Sequence, residues 1–161
     1  KPSCLHRHRG FESHSLRHLV HTMSDQNKDI SAFFTEIPPF LKIFNLTNAY
    51  PTDDSKFIVE FNPGVELTHS NGMVVQGGFV TGMLDSCMAQ FLIYKSKGKQ
   101  IPLTLDIDVK FLRPCAPGPL KTIATIIKEG KSICFTDAVL YQNDVLIATS
   151  SATNKLVDNP F

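Results

Sequence analysis

The stretch from Gly77 to Tyr94 constrains this chain more than any other. Phe79, Val80, Met83, Leu84, Cys87, Met88, Phe91 and Leu92 fall on more than one face of a helix. Such a helix has no side to offer to water and must be enclosed by other structure. Thr81, Asp85, Ser86 and Gln90 interrupt the run, which argues against a membrane span. Lys95-Ser96-Lys97-Gly98-Lys99 places cations and a glycine where the helix should stop.

The enclosure is written downstream. From Ile101 the period becomes two: Leu103, Leu105, Ile107, Val109 and Phe111 fall on one face of a long strand, and Thr104, Asp106, Asp108 and Lys110 on the other. After the break at residues 114–119, strand-like runs cover 120–128, 132–141 and 145–157. They are joined at Glu129-Gly130 and Gln142-Asn143-Asp144, so the four strands read as an antiparallel meander. Upstream, Lys56 to Phe61 reads as a strand that turns at Asn62-Pro63-Gly64 and returns over Val65 to Thr68 as a first hairpin. From Asp29 to Thr47, apolar residues at helical intervals predict two short helices separated at Pro38-Pro39. The fold class is therefore α+β, with the apolar helix packed on one face of an antiparallel sheet.

At 161 residues and 42% apolar content the chain suffices for one domain with its own core. A formal charge of +1 provides no extended field of one sign, so neither nucleic acid nor an anionic membrane is expected as a partner. Cys4, Cys87, Cys115 and Cys134 form no C-x-x-C pair. No disulfide framework or metal site is expected, and the cysteines fit a reducing compartment such as the cytoplasm. Residues 1–22 differ from the rest: they hold five of the six histidines and a net charge of +3, from Lys1, Arg7, Arg9 and Arg17 against Glu12. A leader or tag-derived segment, an organellar targeting segment and a metal-binding tract are the three readings. The domain is taken as 23–161; a native 1–22 would point to mitochondria or another organelle.

The segment His69-Ser70-Asn71-Gly72-Met73-Val74-Val75-Gln76-Gly77-Gly78, followed by Met83-Leu84-Asp85, resembles the signature of hotdog-fold acyl-CoA thioesterases of the phenylacetic-acid-degradation type. Thr104-Leu105-Asp106, Phe111-Leu112-Arg113-Pro114, Gly118, Glu129-Gly130-Lys131-Ser132 and Leu146-Ile147-Ala148-Thr149 follow in the same order, so the resemblance covers roughly 50–157. It implies a curved antiparallel sheet wrapped around the central helix. It also implies homodimers or homotetramers with active sites at the dimer interface, and hydrolysis of acyl-CoA. No cofactor is implied beyond the CoA that is part of the substrate. Many relatives carry His at the position of Gln76, and their Asn-x-x-Gly spacing is not reproduced by Asn71-Gly72.

Asp85 lies too deep in the helix to cap its N-terminus, and a carboxylate placed there needs a justification. A structural hydrogen bond is one; a general base or nucleophile acting on a thioester is the other. The N–H groups of Gly77 and Gly78 open the helix without intrahelical acceptors, where a thioester oxygen can be polarised. Gln76 is expected to donate to the substrate carbonyl or orient water, Asn71 to form a turn or hold substrate, and Thr104 to face solvent or, by the resemblance, to reach the partner subunit's site. Arg113, Lys128, Lys131 and Ser132 are the candidates for the coenzyme's phosphates, each equally an ordinary surface group. His69 reads as a loop residue outside the mechanism. A non-catalytic acyl-CoA-binding or scaffolding protein is the alternative function. A hydratase is disfavoured because no His follows Asp85 in the helix.

Overall fold

The computed structural model of the protein describes residues 36–52, 55–69 and 71–160. The segment 1–22 and the first of the two expected short helices lie outside them. The second is α1, Pro39–Ile43, opened by Pro39 at its first turn. It ends sooner than expected because Asn45 takes a positive φ of 51°. Asn45 also exchanges bonds with Asn62: the Asn45 Nδ2 donates to the Asn62 carbonyl, and the Asn62 N–H donates to the Asn45 carbonyl, both at 2.9 Å. That clasp starts a strand, β1 (Leu46–Pro51), which the apolar spacing did not reveal.

Six strands form one antiparallel sheet: β1, β2 (Lys56–Phe61), β3 (Gln100–Phe111), β4 (Leu120–Glu129), β5 (Ile133–Gln142) and β6 (Val145–Asp158), in the order β1-β2-β4-β5-β6-β3. Two expectations are corrected. The partner of β2 in the first hairpin is β1, and Val65–Leu67 is a 3₁₀ turn rather than a returning strand. The meander holds for β4, β5 and β6, but β3 leaves it to pair with β6 at the far edge. The Pro-rich connection 112–119 provides the length for that crossing. Asn143 and Asp144, both at positive φ, make the tight β5–β6 turn.

α2 (Gly77–Lys95) packs on one face of the sheet and touches β2 through β6, so the sheet wraps around it. The central positions that face it are small: Ala124, Ala138, Ala148 and Ala152 are all buried. Their backbones come close to the helix, and Met83, Leu84, Met88 and Phe91 fill the space from the helix side. Phe91 stacks on Phe57, with centroids 5.7 Å apart. The helix stops as expected: Lys97 and Gly98 take positive φ, and Gly98 N–H returns to the Ile93 carbonyl at 2.9 Å. Among the described residues no helix is long and apolar enough to cross a membrane.

Candidate functional site at the N-terminal half of the central helix

The register of β3 places Thr104. Thr104 lies opposite Asn154, but Asp106 lies opposite Thr153, so Leu105 is an extra residue, a β-bulge. Beyond the bulge Ile107, Val109 and Phe111 oppose Ala152, Ser150 and Ala148, which face α2. Before it the alternation is inverted. Thr104 therefore shares the helix-facing side with Ile107, while Leu103 joins Asp106 outside. The expectation of one polar face from Thr104 to Lys110 is corrected: Thr104 is exposed, as expected, but from the helix-facing side of the strand.

The consequence is a direct contact with Asp85. The Thr104 hydroxyl donates to Asp85 Oδ1 at 2.8 Å, and both residues belong to the same chain. Asp85 is half-buried on α2, so its carboxylate has a partner and keeps an open side. Thr104 Oγ1 also lies 3.3 Å from Oδ1 of the buried Asn154.

Gln76 caps α2. Its Oε1 accepts from Gly78 N–H at 2.6 Å, while its carbonyl takes the N–H groups of Phe79 and Val80. The amide of Gly78, one of the two expected polarising donors, is thus already engaged. Gly77 N–H has no acceptor among the described residues. A side chain at Gly77 would meet the Phe111 ring, its Cβ falling 3.2 Å from Cζ. Phe111 is exposed at the end of β3, and its ring borders this glycine.

Asn71 takes the role of a turn residue: Oδ1 accepts from Met73 N–H at 3.1 Å, and Gly72 follows at φ 71°. The loop is closed onto α2 by Gln76 N–H to the Leu67 carbonyl and by a bridge between Thr68 and Val75.

Arg113 and Lys131-Ser132 are not brought together. Arg113 follows β3 and donates from Nη1 to the Leu146 carbonyl at 2.7 Å, at the β5–β6 turn. Lys131 and Ser132 sit in the β4–β5 turn, where the Ser132 carbonyl accepts from Leu156 N–H at 2.9 Å. A strand length separates the two places, about 30 Å for ten residues, so within one protomer they cannot hold one phosphate group.

Residues 66–155 match the model of the acyl-CoA thioesterase N-terminal domain, which is more than half of the chain. The chain belongs to that family.

A Thermoplasma volcanium protein named as an esterase is 27% identical to this thioesterase-family chain over 81 residues. The match covers 50% of this chain and 59% of that one, so the chain spans about six tenths of the curated relative. Among solved structures, a phenylacetic acid degradation-related protein of Ralstonia eutropha superposes with a TM-score of 0.69 at 24% identity, covering 76% of this chain and 92% of its own. A Bacillus halodurans protein solved with CoA gives a TM-score of 0.62 at 19% identity, covering 70% and 74%. These likenesses establish the hotdog fold: the antiparallel sheet around α2 is the architecture of the family.

A further residue of the site in this thioesterase-family chain is Asn154. It is 1% exposed on the inward side of β6, with Ala152 and Leu156 two positions to either side. A polar residue at that parity was the available signal. Among the described residues no cluster of His, Cys, Asp and Glu could hold a metal ion.

Proposed function

We propose that the protein hydrolyses an acyl-CoA thioester to the free acid and CoA. The contact between Asp85 and Thr104 carries this reading: a half-open carboxylate on the central helix, held by a hydroxyl donor, is a group ready to take a proton or attack a carbonyl. Either Asp85 activates water or it attacks to give a mixed anhydride that water then opens. The amides of Gly77 and Gly78 polarise the thioester oxygen, Gly78 once Gln76 turns aside. Family membership and the CoA bound by the Bacillus halodurans neighbour support the choice of substrate.

Gly77 and Asp85 are eight positions apart on one helix, about 12 Å of rise. One thioester cannot meet both within one protomer. A site shared by two copies, with the amide from one and Asp85 with Thr104 from the other, resolves this, and a homodimer or homotetramer is the working assembly. Arg113, Lys131 and Ser132 then approach the coenzyme's phosphates from different subunits.

The bond from Gly78 N–H to Gln76 favours a second reading, in which the protein binds acyl-CoA without turning it over. Thiol release over short, long and aromatic acyl-CoAs, with binding measured in parallel, separates the two. Tight binding with no release on any member would leave only the second.

A further inference from the structure

Behind the Asp85–Thr104 pair runs a line of buried polar groups that ends in the core. Asn154 and Thr136 are each 1% exposed. Asn154 Nδ2 donates to Thr136 Oγ1 at 3.0 Å, and the Thr136 hydroxyl donates to Met88 Sδ at 3.1 Å. The thioether has no proton to give, so the single hydroxyl proton of Thr136 is committed to it and Thr136 accepts from the amide. This fixes the amide with Oδ1 towards Thr104, 3.3 Å away.

Thr104 has one proton and two acceptors in reach. We propose that Asn154 is a positioning residue for this pair, its buried amide oxygen being the acceptor to which the Thr104 hydroxyl turns when Asp85 takes up a proton. With Asp85 ionised, Thr104 donates to the carboxylate by a charge-assisted bond. The Asn154 oxygen then faces a hydroxyl oxygen without receiving a proton. With Asp85 protonated, its new O–H donates to Thr104 Oγ1, the Thr104 proton swings to Asn154 Oδ1, and every group in the line is satisfied.

The proposal rests on the thioesterase reading with Asp85 as general base. Water gives a proton to Asp85 while its oxygen bonds to the thioester carbonyl carbon. As the C–S bond breaks, the leaving thiolate takes that proton, and Thr104 returns to the carboxylate. Asn154 touches no reacting atom; it makes the protonated form of Asp85 easier to reach.

Among the described residues, the charged groups of the elements packed around α2 are set apart from this line; on β2 and β4, Lys56, Glu60 and Lys128 take the outward parity. Lys95 and Glu129, paired at 2.6 Å, and Asp158 lie where α2 ends. Lys95 is ten positions beyond Asp85, about 15 Å of helix. On the sheet, Lys121, Asp137 and Lys155 and, on β3, Asp106, Asp108 and Lys110 take the outward parity. Burial holds the Cys87 and Cys134 thiols in their neutral form at ordinary pH.

Asn154→Leu keeps the branching at Cγ and removes the acceptor. The readouts are the acid limb of acyl-CoA turnover and the acid titration of the Asp85 carboxyl carbon by NMR, in wild type, Asn154→Leu, Thr104→Val and the double variant. Asn154→Leu moves both midpoints to lower pH by about half to one unit, the size of one neutral hydrogen bond gained on protonation. In the Thr104→Val background it moves neither. No displacement, displacement to higher pH (an amide turned the other way, donating to Thr104), or an equal displacement without Thr104 would overturn the proposal. Should Asn154→Leu not fold, Thr136→Val loosens the amide without touching Thr104, and a smaller displacement of the same sign is required. If no acyl-CoA is hydrolysed, the functional reading fails, and the carboxyl titration still decides the role of Asn154.

Discussion

Thr104 on β3 and Asp85 on α2 are 19 residues apart in sequence, and the threonine hydroxyl donates to the carboxylate at 2.8 Å. The contact exists because the bulge at Leu105 turns Thr104 towards the helix. Strand and helix are thereby coupled at the one acidic side chain of α2.

Asp85→Asn keeps the shape and removes the basic oxygen. Its turnover of the best acyl-CoA should fall by about 10²–10⁴-fold, the usual contribution of a general base. Thr104→Val should cost about ten- to a hundredfold, since a hydrogen bond to a charged group contributes about 1.5–3 kcal/mol. Steady-state kinetics with circular dichroism as the folding control checks both. Full turnover by folded Asp85→Asn would sink the mechanism.

Gln76 is exposed, so its measurable contribution to stability is the cap on Gly78. Gln76→Ala should lower stability by about 1 kcal/mol, seen as a fall in Tm of about 2–4 °C. In the same variant Gly78 N–H becomes free. If substrate must displace the Gln76 oxygen, KM falls while the protein melts earlier, and a merely structural cap would leave KM where it was.

Much of the architecture is legible because its signals are local. α2 has no polar face, β4 to β6 are strand-like runs bounded by short connections, and the turn chemistry at Gly98 and at Asn143-Asp144 is local. Three things were not legible, each for a physical reason. β1 has the weakly patterned sequence LTNAYP and is held by a clasp between Asn45 and Asn62, a contact no periodicity reports. The bulge at Leu105 breaks the parity of β3 although its residues alternate perfectly in sequence, so alternation alone puts Thr104 on the wrong face. The pairing of β3 with β6 depends on the crossing by 112–119, which local spacing does not encode. At the site, Asp85 and the Gly-Gly helix start stand out as anomalies in the sequence, Asn154 shows only as a polar residue at the parity of Ala152 and Leu156, and Gln76 as a cap needs the fold.

The Cys87 thiol is fully buried, and that burial pushes its pKa up to about 12 from the ordinary 9. In the unfolded chain the thiol loses its proton near its ordinary value, so between those limits the unfolded state binds fewer protons and gains on the folded one. The contribution of Cys87 is complete below pH 9 and is lost progressively as pH rises towards 12. Denaturant titrations should show stability falling with pH from 9 upward, and Cys87→Ala should flatten that slope. An unchanged slope would place the alkaline loss elsewhere, Tyr50 being the next candidate, since burial, with Glu60 beside it, raises its phenol to about 12.

A site shared between copies can be tested by mixing two dead variants. Gly77→Val drives a side chain into Phe111 and covers the free amide, while leaving Asp85 and Thr104 in place. Misplacement of that kind costs about 10²-fold in rate. Asp85→Asn removes the base and leaves the amide. In a two-fold dimer the two sites are equivalent by symmetry. A mixed dimer then has one site with both groups altered and one with both intact, because the intact Asp85 of one chain faces the intact Gly77 of the other. Random reassortment makes half of the dimers mixed, each with one working site, so an equimolar mixture unfolded and refolded together should recover about one quarter of wild-type turnover. If Asp85 and Gly77 of one chain served the same thioester, every site in the mixture would carry one lesion, and no activity would return.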